Sequence, residues 1–122
     1  MSRVVHFELG VTNPERAIKF YSGVFGWTIQ KYGGPMDYYL VNTGDPKEPG
    51  INGGLVVNKD AQPRTVNTIA VENLDEFMKK VEGAGGKIVV PKTAIPGVGW
   101  LAYFNDTEGN LVGMHQFDSS AQ

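Results

Sequence analysis

The sequence predicts an α+β fold built from two βαβββ modules. Three observations carry that expectation. Val5, Phe7, Leu9 and Val11 sit at every second position, with His6, Glu8 and Gly10 between them, which is the period of a half-buried strand. A helix signal follows at once: Asn13 can cap, Pro14 has no N–H to lose in the first turn, and Glu15 suits the positive end of the helix dipole. The same unit then returns. A shift of 60 residues carries Leu9 onto Ile69, Asn13 onto Asn73, Ile18 onto Met78, Gly23 onto Gly83 and Gly26 onto Gly86, with no gap.

The elements follow in order. The first helix is expected from Pro14 to about Phe25, with Ala17, Ile18, Tyr21, Val24 and Phe25 as its apolar stripe and Gly26 as its stop. Trp27 to Gln30 starts a second strand, broken by Gly33-Gly34-Pro35. Tyr38 to Val41 is a third strand, and Gly53 to Val57 a fourth, opened by two glycines that suggest a bulge or a close approach. Asn58 to Arg64, which contains Pro63, reads as a linker. Val66 to Val71 is the fifth strand. Asn73 caps a helix with Leu74, Phe77, Met78, Val81 and Ala84 on one face, ended by Gly85-Gly86. Lys87 to Val90 is a strand stopped by Pro91, Trp100 to Phe104 the next, and Leu111 to Gln116 the last, after a turn in which Gly109 suits positive φ. The modules thus occupy about 1–60 and 61–118, with a frayed tail at 119–122.

Each module has one helix to cover one face of a small sheet. The second copy is the expected cover for the other face, with a cleft between the two. His6 and Glu8 would point into that cleft if Phe7 and Leu9 pack under the helix.

Composition narrows the classes. The 122 residues fit one domain, and 41% apolar content can supply a core. A net charge of −2 and the absence of any Lys/Arg run argue against nucleic acid as a partner. The chain has no cysteine, which excludes disulfide and thiolate chemistry. The start of the chain lacks the apolar core of a signal peptide, and no apolar run approaches the ~20 residues needed to span a bilayer. A cytoplasmic protein with no membrane partner is the expectation.

His6, Val11, Asn13, Pro14, Arg16, Ala17, Phe20 and Tyr21 near the start, with Asp106-Thr107-Glu108-Gly109-Asn110 near the end, resemble the vicinal oxygen chelate superfamily. That group includes glyoxalase I, the bleomycin-resistance proteins and the extradiol dioxygenases. Gly50-Ile51-Asn52-Gly53-Gly54 and Ile95-Pro96-Gly97-Val98-Gly99 resemble its small single-chain, glyoxalase-like branch. The resemblance implies a cupped, eight-stranded mixed sheet and commonly a homodimer. The Gly44 to Gly50 loop and the surplus of aromatic strand residues suit such a contact. In metal-dependent members a divalent ion in the cup acts as a Lewis acid on substrate oxygens.

The implied ligand set carries over poorly. His6 matches the first ligand. The corresponding place in the second half is Val66, or Thr68 after a one-rung slip, and the fourth-strand and last ligands fall on Gly53 or Gly54 and on Gly113. One ligand of about four remains, where a divalent ion needs at least three protein groups. A rearranged site of His6, Glu8 and His115 is the alternative, two imidazoles and a carboxylate on suitable strand faces. The plainer reading is that both histidines are partly buried and hydrogen-bonded. The expectation is that His6, Glu8 and His115 face one cavity, with no bound metal and no other cofactor.

Tyr38, Tyr39, Asn52, Trp100, Tyr103 and His115 are the candidate substrate-binding residues. Aromatic side chains with a polar tip suit a small-molecule pocket, although core packing explains any single one of them as well. Three functions fit: a metal-dependent lyase, isomerase or dioxygenase on a small oxygenated substrate; a non-enzymatic binding protein of the bleomycin-resistance type; and a metal-free enzyme with His6 or Glu8 as general base.

Overall fold

The computed structural model describes residues 2–34, 37–58, 60, 62 and 64–122. Pro35 and Pro63, expected in the break and the linker, lie outside them. The chain forms two compact units, one of His6–Thr65 and one of Val66–Gln122 with Met1–Val5.

The first unit carries β1 (Val4–Val11), α1 (Pro14–Phe25), β2 (Thr28–Lys31), β3 (Tyr38–Asn42) and β4 (Asn52–Val57). Its strands lie side by side in the order β2-β3-β4-β1, with β1 parallel to β4 and the other pairs antiparallel. The second carries β5 (Thr65–Ala70), α2 (Leu74–Gly83), β6 (Lys87–Ile95), β7 (Gly99–Asn105) and β8 (Leu111–Phe117). Its order is β6-β7-β8-β5, with β5 parallel to β8. The βαβββ pattern is therefore written twice, as expected.

The repeat extends to single hydrogen bonds. The Asn13 side chain accepts from Arg16 N at 3.0 Å, and Asn73 accepts from Glu76 N at 3.0 Å. Leu9 pairs with Leu55 and Ile69 with Met114, and both partners are buried. These apolar positions face the helices. In the second unit Val71, Leu74, Ala102 and Met114 form the core, with Phe77, Trp100 and Phe104 packed on it.

α1 is less sunk than its counterpart. Its cover over the sheet is aromatic: Tyr21 stacks on Trp27 at 4.9 Å, and Trp27 meets Phe7 at 5.8 Å. Val24 and Phe25, expected within the stripe, stay exposed. Gly26 ends the helix in the left-handed conformation at φ 72°.

Two local expectations are corrected. Pro91 does not stop β6. The strand continues through it, because β6 lies on the outer side of β7 and the register shifts between Val90 and Thr93, so the missing N–H breaks no ladder bond. The tail is not frayed. Ala121 is buried, its carbonyl accepts from Gly97 N at 2.9 Å, and Asp118 N donates to Val98 O at 2.9 Å. No helix among the described residues is long and apolar enough to cross a membrane.

Candidate functional site

Strand alternation gives each sheet a helix-covered face and an opposite one. In the first unit the ladder places His6 beside Asn52, and Glu8 beside Gly54, with Leu40 on the far side of Gly54. His6, Glu8, Tyr38, Leu40, Asn52 and Gly54 therefore share the face opposite α1. Phe7, Tyr39, Val41 and Leu55 share the other.

Three of these residues are joined. His6 Nε2 lies 2.7 Å from Tyr38 Oη, and the Tyr38 hydroxyl is also hydrogen-bonded to Glu8. A phenol has one proton. Donated to the Glu8 carboxylate, it leaves the Tyr38 oxygen to accept from His6 Nε2–H. The chain then runs from imidazole through phenol to carboxylate, and Nδ1 becomes the ring's acceptor nitrogen.

The electrostatics agree with that direction. Burial holds the His6 pKa below its ordinary value, with Glu8 pulling the other way. Burial, then the charge of Glu8, then the hydrogen bond to it all push the Tyr38 phenol strongly upward. His6 is thus a neutral imidazole near neutral pH, and Tyr38 keeps its proton.

Gly54 makes the cluster possible. A Cβ there would collide with the Tyr38 hydroxyl and ring carbons. Gly53 serves the other face, where a Cβ would meet the Phe7 carbonyl and lie 2.7 Å from its ring. The ladder runs through both glycines without a bulge, so close approach by aromatic rings is the reason for the pair. The sequence names Tyr38 and marks the Gly53-Gly54 pair as a bulge or a close approach; at Gly54 the ring that approaches is that of Tyr38.

The remaining candidates have other surroundings. The Asn52 side-chain oxygen accepts from Thr43 N at 3.0 Å, and so organises the loop between β3 and β4. Tyr39 lies on the α1 side, with Lys31 Nζ 5.9 Å from its ring centre. Trp100 packs on the α2 core; its indole N–H donates to Asp118 at 3.1 Å, and Lys92 sits 4.8 Å above the ring. Tyr103 and His115 share the face of Gly113 in the second unit, as their parity requires. His115 is 7% exposed, its ring meets Phe117 edge-on at 4.4 Å, and a Cβ at Gly99 would lie 2.8 Å from its Nε2.

A cleft of about 440 Å³ opens elsewhere in the first unit, beside Thr12, Asn13, Arg16 and Phe20 at the start of α1. It includes none of the joined residues, and the Asn13 oxygen in it is committed to the cap.

The donor set does not fit a resident divalent ion. Among the described residues no group of three or more His, Asp or Glu side chains comes together. On the open face of the first unit the strong ligands are His6 and Glu8, and β4 opposes them with Asn52, whose side-chain oxygen is committed to Thr43, and with Gly54.

Comparison with known proteins places this geometry among relatives. The model of the Glyoxalase/Bleomycin resistance protein/Dioxygenase superfamily matches residues 3–114. A candidate glyoxylase of Mycobacterium tuberculosis (strain CDC 1551 / Oshkosh), CFP32, is 30% identical over 121 residues, covering 89% of this chain and 43% of its own. The chain thus spans less than half the length of the curated relatives it matches. The Mn(II)-bound glyoxalase from Novosphingobium aromaticivorans aligns with TM-score 0.69 at 21% identity, over 99% of this chain and 41% of that one. Methylmalonyl-CoA epimerase from Mycobacterium tuberculosis aligns with TM-score 0.69 at 14% identity, over 94% of this chain and 87% of that one. At such identities the structural likeness speaks for the fold alone.

Proposed function

The chain belongs to the Glyoxalase/Bleomycin resistance protein/Dioxygenase superfamily, and from that premise we propose that it binds a small oxygenated molecule at the His6–Tyr38–Glu8 chain, without a resident metal. The observation that carries the reading is the 2.7 Å contact between His6 Nε2 and Tyr38 Oη, with Glu8 behind the phenol. A half-buried polar network held by a glycine-made gap is a costly arrangement to keep for packing alone.

The network is suited to proton transfer. A neutral imidazole whose Nε2–H is fixed can accept a ligand proton on Nδ1. The positive charge that results is stabilised by Glu8 through the polarised phenol. No step in this chemistry runs through a metal. Lyase or isomerase turnover would follow for a ligand with an acidic proton within reach. A ligand without one would be held and released unchanged, in the manner of the bleomycin-resistance type.

The test is a panel of α-ketoaldehydes, catechols and epoxides, assayed for binding and turnover on wild type and His6→Ala. A loss of at least about tenfold in affinity is expected for His6→Ala, with cooperative unfolding retained. Unchanged binding in His6→Ala sinks the proposal. So does stoichiometric Zn, Ni, Fe or Mn in untagged protein that disappears on His6→Ala.

A homodimer in the cytoplasm is the assembly we propose alongside it. Light scattering should give a mass near twice 13.3 kDa; a value near 13.3 kDa at micromolar concentration rejects the dimer.

A further inference from the structure

We infer that the cleft beside Arg16 and Phe20 is a second binding site, for a small carboxylate with a flat apolar body. It includes none of His6, Tyr38 and Glu8, and it stands or falls independently of their site.

At about 440 Å³ the cleft has the volume of a small-molecule site. Its walls are held in place. Gly10 and Val11 line it from β1; Gly10 N donates to Arg64 O at 2.8 Å, and Asn58 N donates to Val11 O at 2.7 Å. Gly10 is needed there, because a Cβ would collide with the Asn58 carboxamide. That carboxamide donates to Gln62 O at 2.8 Å, and Gln62 N donates to Asp60 at 3.1 Å. Gln62, which also lines the cleft, is thus held through both of its backbone polar groups.

Charge selects the ligand. Arg16 is the one charged side chain among the described residues that line the cleft. The ion pairs among the described residues are Arg64–Asp60, Lys80–Glu76 and Lys92–Asp75, and none involves Arg16. The acids nearby are otherwise placed. Asp60 holds Arg64 at 2.6 Å, and Glu15 lies about 100° round the helix from Arg16. An exposed guanidinium offers a planar pair of N–H donors that matches a carboxylate. Asn13 adds to it: its Oδ1 is committed to Arg16 N, so the group it has left is the Nδ2 donor. Side chains bind the anion here, not the helix end, since Pro14 has no N–H and that of Arg16 is taken by Asn13.

The apolar half comes from the same helix. Phe20 follows Arg16 by four residues and so shares its face. Its ring meets Tyr21 edge-on at 5.1 Å, yet the residue is 55% exposed. Ala17 lines the cleft with only a methyl group. A ligand can therefore lie with its carboxylate on Arg16 and its body against Phe20.

The experiment compares 3-phenylpropionate with 3-phenylpropanamide, which has the same shape and no charge. Each is titrated into the full chain, into Arg16→Gln and into Phe20→Ala, with backbone amide resonances followed by two-dimensional NMR. The acid is expected to shift the amides between Thr12 and Phe20 saturably and to bind about fivefold tighter than the amide probe. Arg16→Gln should remove that advantage and leave the amide probe's affinity unchanged, and the same spectra verify that this exposed substitution keeps the fold. Phe20→Ala should weaken both probes alike, by about threefold. Raising the salt should narrow the gap between them. Equal affinity for the two probes in the wild type overturns the inference, as does an acid affinity that Arg16→Gln leaves intact. Inorganic phosphate that shifts the same amides as tightly as the acid overturns the assignment of the ligand class. If neither probe shifts the amides between Thr12 and Phe20 saturably, the cleft is a surface groove and no site.

Discussion

Gly54→Ala is expected to abolish ligand binding and destabilise the protein by about 1–3 kcal/mol, the usual range for overpacking. The new methyl would occupy the space of the Tyr38 hydroxyl, so the phenol must swing away from both His6 and Glu8. Because the colliding atoms are the far end of a side chain, the fold itself has a way out. Tyr38→Ala should therefore rescue much of the lost stability in the double variant, and not the binding. Gly53→Ala provides the contrast. Its methyl meets the Phe7 carbonyl within the β1–β4 ladder, and a ladder carbonyl has nowhere to go. That variant should be the less stable of the two, and no substitution at Tyr38 should help it. Urea unfolding of the two single variants and the double variant checks all three statements. Equal costs for Gly54→Ala with and without Tyr38 would show that the phenol does not fill that gap.

This pair of glycines also shows what a sequence can and cannot reveal here. The period-two run from Val5, the capping asparagines and the 60-residue shift are local signals, and each acts through neighbours close in sequence. The element order and the split of β1 into a helix side and an open side follow from them. The Gly53-Gly54 pair announced close approach without saying what approaches. The answer, Phe7 on one face and Tyr38 on the other, depends on register between strands 46 residues apart (Phe7↔Gly53), and register is set by the whole sheet. The same limit applies to Trp100. Its apolar bulk and polar tip suit a pocket as well as a core, and only its position on the α2 side separates the two. Pro91 misled for a related reason. Proline forbids a ladder bond only where one is needed, and the outer side of β6 needs none there.

Stability should decline as pH falls below about 6.5, the ordinary value for histidine, and ligand binding only at the lower pH where the folded chain itself takes up the proton. Burial depresses the His6 pKa in the folded chain. Above 6.5 the imidazole is neutral folded or unfolded, and its contribution is fully present. As pH drops through 6.5 the unfolded chain takes up the proton first, so stability is lost from there down to the folded pKa. Binding follows the folded pKa, because protonation of Nδ1 removes the acceptor; below that point affinity for a neutral donor should fall by about tenfold per pH unit. Tyr38 stays protonated throughout and adds no slope. Glu8→Gln removes the one influence raising the His6 pKa, so it should move the acid limb to still lower pH. The chain has two histidines, and the ring resonances of His6 and His115 followed separately by NMR give each its own titration. A His6 midpoint above 6.5 would mean that Glu8 outweighs burial and holds the imidazole charged, and one that rises in Glu8→Gln would mean that Glu8 does not act on the ring at all.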